Sequence, residues 1–388
     1  MKTIIELLAA LPSDSIRKLP LAECCNILDN RRKPVTRAAR EKGEYPYYGA
    51  NGIQDYVSDY LFEGTFVLVG EDGSVITEFG KPVVNWAEGK IWVNNHAHII
   101  EYSGVCLLRY LYYYLQTVNI KDYVHGNIPK FTQGDFKSLV VMVPPVEIQR
   151  EIVDILDELT EASGAVTDAL DREAACRKKQ YDFYKDNLLS FDGATKIVKL
   201  GDIAQIVRGA SPRPIKSFIT DSPDGVNWIK IGDASQNDKY ITSCAEKITQ
   251  EGAKKSRQVK PGDFILSNSM SFGRPYILKI SGCIHDGWLA ISDFEDHVTA
   301  DYLYHVLTSN IIQETMKKKA SFGGAVQNLN ADIVRSIEIP VPSLETQRDI
   351  VEKLDALNEV TTELIAALVR ERDLRAKQYV YCRDRVFA

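Results

Sequence analysis

Two stretches of this chain nearly repeat one another. PVEIQREIVDILDEL (145–159) returns as PSLETQRDIVEKLDAL (342–357), and setting Gln149 against Gln347 gives an offset of 347 − 149 = 198. From 144/342 to 159/357 nine of sixteen positions are identical. The register then continues without a gap through Arg172/Arg370, Glu173/Glu371, Lys179/Lys377, Gln180/Gln378 and Tyr181/Tyr379. A match of that length constrains the fold more than any short motif, because one structural unit must be used twice.

Both copies follow an extended run ending in proline, VVMVPP or IEIPVP, where proline stops a strand and the next residues can open a helix. Apolar residues then recur at helical spacing: Ile148, Ile152, Ile155, Leu159, Val166 and Ala169, and later Ile350, Leu354, Leu357, Leu364 and Leu368. Helices of this extent are roughly 60 Å long. Without a surrounding core they pair as a coiled coil. Gly164 is where the first would bend.

A fainter echo precedes each helix. LPLAECCNIL (19–28) resembles VKLGDIAQIV (198–207), and EGTFVLVG (63–70) resembles KPGDFILSN (260–268), at offsets of 179 and 198. The chain therefore divides into a domain with an N-terminal helix at 1–145, a helix at 146–191, a second domain at 192–342 and a second helix at 343–388. Each domain reads as mixed α/β, its short strands alternating with helical segments such as LLRYLYYYLQ and DYLYHVLTSNIIQ. Two such units packed through antiparallel helices carry a pseudo-twofold axis and present two heads from a rigid spacer. Duplex DNA has twofold axes of its own, so this body suits two half-sites.

Composition sets the outer bounds. At 388 residues the chain exceeds one compact core, and 45% hydrophobic with 26% charged residues excludes a disordered chain. The balance 47 − 53 = −6 excludes a uniformly basic coat and leaves local patches open. Seven scattered cysteines without a Cys-x-x-Cys pair indicate neither disulfides nor a zinc knuckle, which makes a reduced cytoplasm the default. The opening MKTIIELLAAL reads as an amphipathic helix, since Glu6 interrupts it, and no run of 18 apolar residues is present.

The organisation resembles the specificity subunit of type I restriction-modification enzymes over essentially the whole chain. The strings that carry it are YPYYGANGIQDYV (45–57), FVLVGEDGSV (66–75), WVNNHAHII (92–100), GNIPKFTQGDFKSLVVMVPPVEIQREIV (126–153) and IPVPSLETQRDIV (339–351). The resemblance implies two target-recognition domains, each reading one half of a split double-stranded DNA site, and helices that hold two methyltransferase (modification) subunits. Restriction subunits complete the cleaving complex. It also implies a subunit without catalysis or cofactor of its own, with S-adenosylmethionine, ATP and Mg on its partners. The absence of an Asn/Asp-Pro-Pro-Tyr/Phe motif, a Phe-x-Gly-x-Gly loop and a Gly-x-x-x-x-Gly-Lys loop accords with that division.

Base edges are read by Arg, Lys, Asn, Gln, Ser or Thr, and phosphates by positive charge and small donors. The first domain offers Arg31, Arg32, Lys33, Tyr45, Tyr47, Tyr48, Asn51 and, after Gly126 and Asn127, Lys130. The tyrosines can pack by one face and show their hydroxyls, or simply fill a hairpin. In the second domain VRGASPRPIK supplies Arg208, Arg213 and Lys216, SNSMSFGRP supplies Ser267, Asn268, Ser271 and Arg274, and KKKASFGGAVQNLN supplies Ser321 beside Lys317 to Lys319 and Gln327. Glycine and proline mark these as loops. On the helices Gln149, Arg150, Gln180, Tyr181, Gln347, Arg348, Gln378 and Tyr379 recur at matching places, as expected for exposed positions holding two copies of one partner.

Other readings compete. His96 and His98 alternate along a strand but lack a third metal ligand at a recognisable spacing. Asp72 with Glu88 and Lys90 is a weak nuclease pattern, and GEDG is equally a turn. The same scaffold could serve a related type II system with a fused cleavage-methylation partner, or act as a two-headed adaptor for protein or sugar.

Overall fold

A computed structural model of the chain describes residues 12, 15–73, 75–77, 79–125, 129–190, 195–235, 238–268, 272–321 and 329–387, the side chains of 125 and 321 excepted. The N-terminal helix at 1–11, Gly126, Asn127, Ser271, Gln327 and the side chain of Ser321 therefore lie outside the described residues. The chain forms two compact units. Unit 1 comprises Met1–Leu170 with Arg370–Ala388, and unit 2 comprises Asp171–Val369.

In unit 1 a six-stranded mixed sheet runs in the order Cys25–Ile27, Ala97–Tyr102, Phe62–Gly70, Val84–Val93, Lys42–Gly49, Gly52–Val57. Only the pair between Val84–Val93 and Lys42–Gly49 is parallel. Successive side chains point to opposite faces of a strand. Val67, Val69 and Ile100 accordingly join the helix Leu108–Leu115 in one core, while Phe66, Leu68 and Ile99 build a second on the other face. The first core also takes in Ile152, Leu156 and Val386 from the long helices.

Unit 2 repeats this plan with a split sheet. Gln205–Arg208, Trp288–Ser292, Phe264–Ser267, Pro275–Leu278 and Tyr240–Ile241 form five strands, and Glu246–Ile248, Val226–Ile229, Gly282–Ile284 and Arg257–Val259 form four. Phe264, Leu266 and Ile291 pack with Tyr302, Leu303 and Val306 of the helix Ala300–Leu307 and with Ile350 and Leu354. Ile265, Tyr276 and Trp288 fill the other face.

Two short ladders close the heads in the same manner. Arg17–Pro20 pairs with Val140–Val143, and Ile197–Lys199 with Glu338–Pro340, both antiparallel. Leu21 N–H donates to Leu139 O and Leu200 N–H to Ile337 O, each at 2.8 Å. The chain then enters a 43-residue helix in each case, Val146–Leu188 and Leu344–Val386, and the first is helical straight through Gly164.

Within each unit the two helices run antiparallel. In unit 1 Tyr379 meets Thr160 and Val386 shares a core with Ile152. In unit 2 Tyr181 and Asp355 line one cavity, and Leu189 shares a core with Ile350. No position from 157 to 184, or from 355 to 382, is buried. A two-helix seam covers only one stripe of each helix, and the heads bury only the ends.

Candidate functional site

Head 2 gathers several of the expected DNA-reading residues around one loop. The Asp286 carbonyl accepts from Arg208 Nε at 2.9 Å and from Asn268 Nδ2 at 3.0 Å. Its carboxylate accepts from Ser211 at 2.8 Å and lies 3.9 Å from Arg213. The Ser211 bond leads the causes that hold Asp286 below the usual carboxylate range. A Cβ at Gly209 would sit 2.0 Å from the His285 carbonyl, so only glycine lets this strand end close on the loop. The outcome is a fixed base with exposed cations: Arg213 is 85% exposed, and Arg208 and Lys216 also face solvent. Ser267 and Asn268 are buried and support the loop from beneath. Arg274 turns elsewhere, stacking over Tyr276 and lining a cavity. Lys318 pairs with Glu314 on its own helix, and Lys319 bonds Ser336.

Head 1 sorts its candidates by depth. Arg31 and Lys33 are exposed, the first lying over Phe62, the second donating its backbone N–H to Val93 O and accepting at its carbonyl from Trp92 Nε1. Between them Arg32 turns inward. Its Nη1 lies 2.6 Å from Glu71 and its Nη2 3.4 Å from Asp29, and its Nη1 also donates to Ala97 O. His98 joins this buried group through Asp29 at 2.7 Å and Phe131 O at 2.9 Å. Arg32 is thus not a surface contact, because two buried carboxylates require its charge.

Tyr47 is likewise interior: its hydroxyl bonds the backbone of Val35 and Arg40 stacks on its ring. Tyr48 is buried too, and burial raises its pKa. Tyr45 stays half-exposed, edge-on to Tyr60, with Lys90 above both rings. Asn51 sits exposed in the two-residue hairpin turn before Gly52, and Lys130 is exposed 3.6 Å from Glu71. Exposed Arg37 and the Arg40–Asp55 pair lie beyond the residues expected from sequence, although RRKPVTRAAREK (31–42) carries their signal as one continuing basic run.

Asp29, Glu71 and His98 have the donor types and mutual closeness of a metal site. Arg32 and Lys130 already supply cations there, and both His98 nitrogens are engaged with oxygens, so neither ring nitrogen is turned towards a metal. His96 departs to Asp72, and the weak nuclease group disperses likewise: Glu88 accepts from Trp86 and Lys90 stacks on Tyr60.

The profile of the family described as the type I restriction modification DNA specificity domain matches the chain twice, over residues 16–170 and 194–371. The chain belongs to this family. Over 99% of its length it is 34% identical to a Haemophilus influenzae protein described as "Putative type I restriction enzyme specificity subunit", covering 97% of that relative. It is 29% identical to the EcoR124I/EcoR124II specificity subunit of Escherichia coli, over 73% of this chain and 71% of that one. The HsdS subunit from Thermoanaerobacter tengcongensis shares its fold, with a TM-score of 0.53 at 17% identity and 97% coverage of both chains. A chain from a structure of type I restriction-modification assembly and conformational transition reaches 0.68 at 17% identity, covering 97% of this chain and 98% of that one.

In this specificity subunit two of the eight duplicated positions, Gln149 and Gln347, prove to be internal. Gln149, expected on the surface, is buried: its Oε1 accepts from Leu107 N–H at 2.8 Å and its Nε2 donates to Pro144 O. Gln347 repeats this with Thr299 N–H at 2.8 Å and the carbonyls of His297 and Pro342. Each glutamine thereby holds the backbone N–H of the residue immediately before a head helix, Leu107 or Thr299. The other end of each head helix meets a cation from the opposite long helix, where positive charge complements the helix dipole. Arg383 bonds Gln116, and Lys185 bonds Thr308 at 2.6 Å. Tyr379 bonds Thr160, and Tyr181 is half-buried. Arg150, Arg348, Gln180 and Gln378 remain exposed.

The middle of each joint differs between the units. Asp157 receives Arg109 and Tyr113, while Asp355 receives buried His305 at 2.7 Å. Burial foremost, with the nearby Lys185 and Lys239 charges, pushes His305 down to about 4 against the pull of Asp355. A folded-state value below the unfolded one means the unfolded chain takes up the proton first as pH falls from about 6.5. Unit 2 is therefore expected to lose stability between pH 6.5 and 4, seen as faster hydrogen exchange in Ala300–Leu307. His305→Tyr, which copies Tyr113, should flatten that dependence; an unchanged pH profile in the variant would exclude His305 as its source.

Proposed function

We propose that each unit of this specificity subunit reads one half of a two-part DNA site with its head and holds one methyltransferase subunit on its length of exposed helix. The paired helices set the gap between the half-sites, and restriction subunits join the assembled methyltransferase, which brings the cofactors.

The observation that carries this reading is a surface duplicated beyond what packing needs. Glu173, Cys176, Arg177, Gln180 and Phe183 share one helix face, and Glu371, Leu374, Arg375, Gln378 and Tyr381 occupy the same places 198 residues on. Arg177 bonds Glu173 and Gln180 at 2.8 and 2.9 Å, and Arg375 bonds Glu371 and Gln378 at 2.8 and 3.0 Å. Phe183 and Tyr381 end these stripes 62% and 63% exposed. Aromatic and arginine side chains are the usual anchors of protein interfaces. One stripe lies on unit 2 and the other on unit 1, which supports two copies of one partner.

Phe183→Ala is expected to weaken one methyltransferase contact by about 30-fold, the size of an interface hot spot, and Tyr381→Ala the other. Native mass spectrometry of the assembled complex should then show one partner lost in each single variant and both in the double. Retention of both partners by the double variant would remove the stripes from the interface.

Arg213→Ala tests the reading heads. Loss of one charged DNA contact should weaken binding by about tenfold or more and relax choice at one half-site only. If the contact is to phosphate, the slope of log affinity against log salt should fall by about 1. Equal weakening across both half-sites would place Arg213 outside sequence reading.

A further inference from the structure

Unit 2 holds a cavity of about 600 Å³ whose lining includes none of the residues placed around Asp286 or on the exposed helix stripes. It lies where the head helix Ala300–Leu307 meets the long helices, and its volume is in the range of small-molecule sites. Three cations line it: Lys185, Lys239 and Arg274, against the single lining carboxylate of Asp355. Asp355 is occupied by His305, and Lys239 is balanced by Asp301 at 2.7 Å. That leaves Lys185 and Arg274 without a carboxylate within ion-pair distance among the described residues.

Lys185 carries the argument furthest. It is 6% exposed, and the acceptor it meets is the neutral hydroxyl of Thr308. A buried ammonium with a neutral acceptor is costly, and an anion beside it would offset that cost. Burial pushes it down to about 8, which leaves it mostly charged at neutral pH.

Unit 1 shows what a closed version of this joint looks like. Arg383 stands where Lys185 does, at the 198 offset, and is saturated by the side chain and carbonyl of Gln116 and by Asp384. Arg109, packed on Trp86 and Tyr112, fills the space before Asp157. In unit 2 the matching head-helix residue is Asp301, which inverts that charge and turns to Lys239 instead. The plug is gone and the cations remain. Three aromatic rings line the same cavity: Tyr181, 5.9 Å from the Lys185 ammonium, Tyr304, 5.1 Å from that of Lys239, and Phe272.

We propose that this cavity binds a nucleoside phosphate, the phosphate taken by Lys185, Lys239 and Arg274 and the base by the lining aromatic rings. Multiple cations suit a dianion better than a single carboxylate, and planar rings suit a base. A duplex presents its phosphates on a convex surface that cannot follow a lysine into the interior, so the fitting source is a free small molecule.

The test is calorimetric titration of the full-length chain with ADP, inorganic pyrophosphate and adenosine, with and without saturating duplex DNA. ADP should bind at one site per chain, be displaced by pyrophosphate and persist beside the duplex, while adenosine gives no heat. Lys185→Met, which keeps side-chain volume, should weaken ADP by about tenfold or more, the loss of one charged hydrogen bond. Arg274→Gln provides a second variant, and the melting temperature of each unliganded variant verifies its fold. No ADP binding at millimolar concentration, undiminished binding in both variants, or adenosine binding as well as ADP would overturn the proposal. Displacement of ADP by the duplex would overturn it too, by making the cavity part of the DNA surface.

Discussion

Replacing Gln347 with alanine is expected to destabilise unit 2 by about 2–4 kcal/mol, since three partly buried backbone groups each lose a hydrogen bond to a buried side chain at about 1 kcal/mol, with water restoring part of the loss. The side chain is fully buried, accepting from Thr299 N–H at 2.8 Å and donating to the carbonyls of His297 and Pro342 at 3.0 Å each. Thr299 also caps the helix Ala300–Leu307 from the position before it, so the head helix loses its seat on the long helix together with the bonds. Gln149→Ala should act the same way on Leu107 N–H and Pro144 O in unit 1. Gln347→Glu keeps the acceptor for Thr299 and loses the donor, so it should fall between. Equilibrium unfolding in urea measures all three, and a cost below 1 kcal/mol for Gln347→Ala would mean that water replaces the side chain entirely.

Removal of Arg32 is expected to cost a similar amount, about 3–5 kcal/mol, because Asp29 and Glu71 would stay buried without their principal counter-charge. Arg32→Lys should rescue little. The guanidinium reaches Glu71, Asp29 and Ala97 O at once from one planar fork, which a single ammonium cannot do.

Acid adds a second readout. Burial would raise the Asp29 pKa, but His98, the Ile99 N–H and Arg32 outweigh it and hold it below 3.8. A depressed carboxylate stabilises the fold above its unfolded value and loses that contribution as pH falls through the folded value. In Arg32→Ala the acid-induced loss should therefore begin at a higher pH. The same change frees the segment that carries Arg31 and Lys33, so reading of the first half-site should weaken while the second persists. An Arg32→Ala protein with unaltered stability would show that the carboxylates find another partner.

Much of this molecule was open to reading from the chain alone. Nine identities in sixteen, a period near 3.6 and proline at the preceding strand were enough to mark two equivalent long helices, because those features are local. The strings that mark the specificity family are also linear. The mixed α/β heads followed from short strands around LLRYLYYYLQ and DYLYHVLTSNIIQ, the first forming the helix Leu108–Leu115 and the second parts of two helices, Ala300–Leu307 and Asn310–Ser321.

Depth was another matter. Arg31, Arg32 and Lys33 are three adjacent basic residues with nothing in the chain to separate them. Only folding brings Glu71, 39 residues away, onto Arg32, and leaves its neighbours outside. Gln149 and Gln347 were rightly singled out as a matched pair, but they match because each unit builds the same internal joint.

The chain by itself determined the duplication, the two helices and the family. Which polar side chains of the repeat turn inward, which cations surround Asp286, and why one joint is plugged while its twin holds a cavity were decided by tertiary structure alone. Periodicity assigns a residue to a face of its own element, whereas burial and charge pairing depend on what a distant segment places against that face.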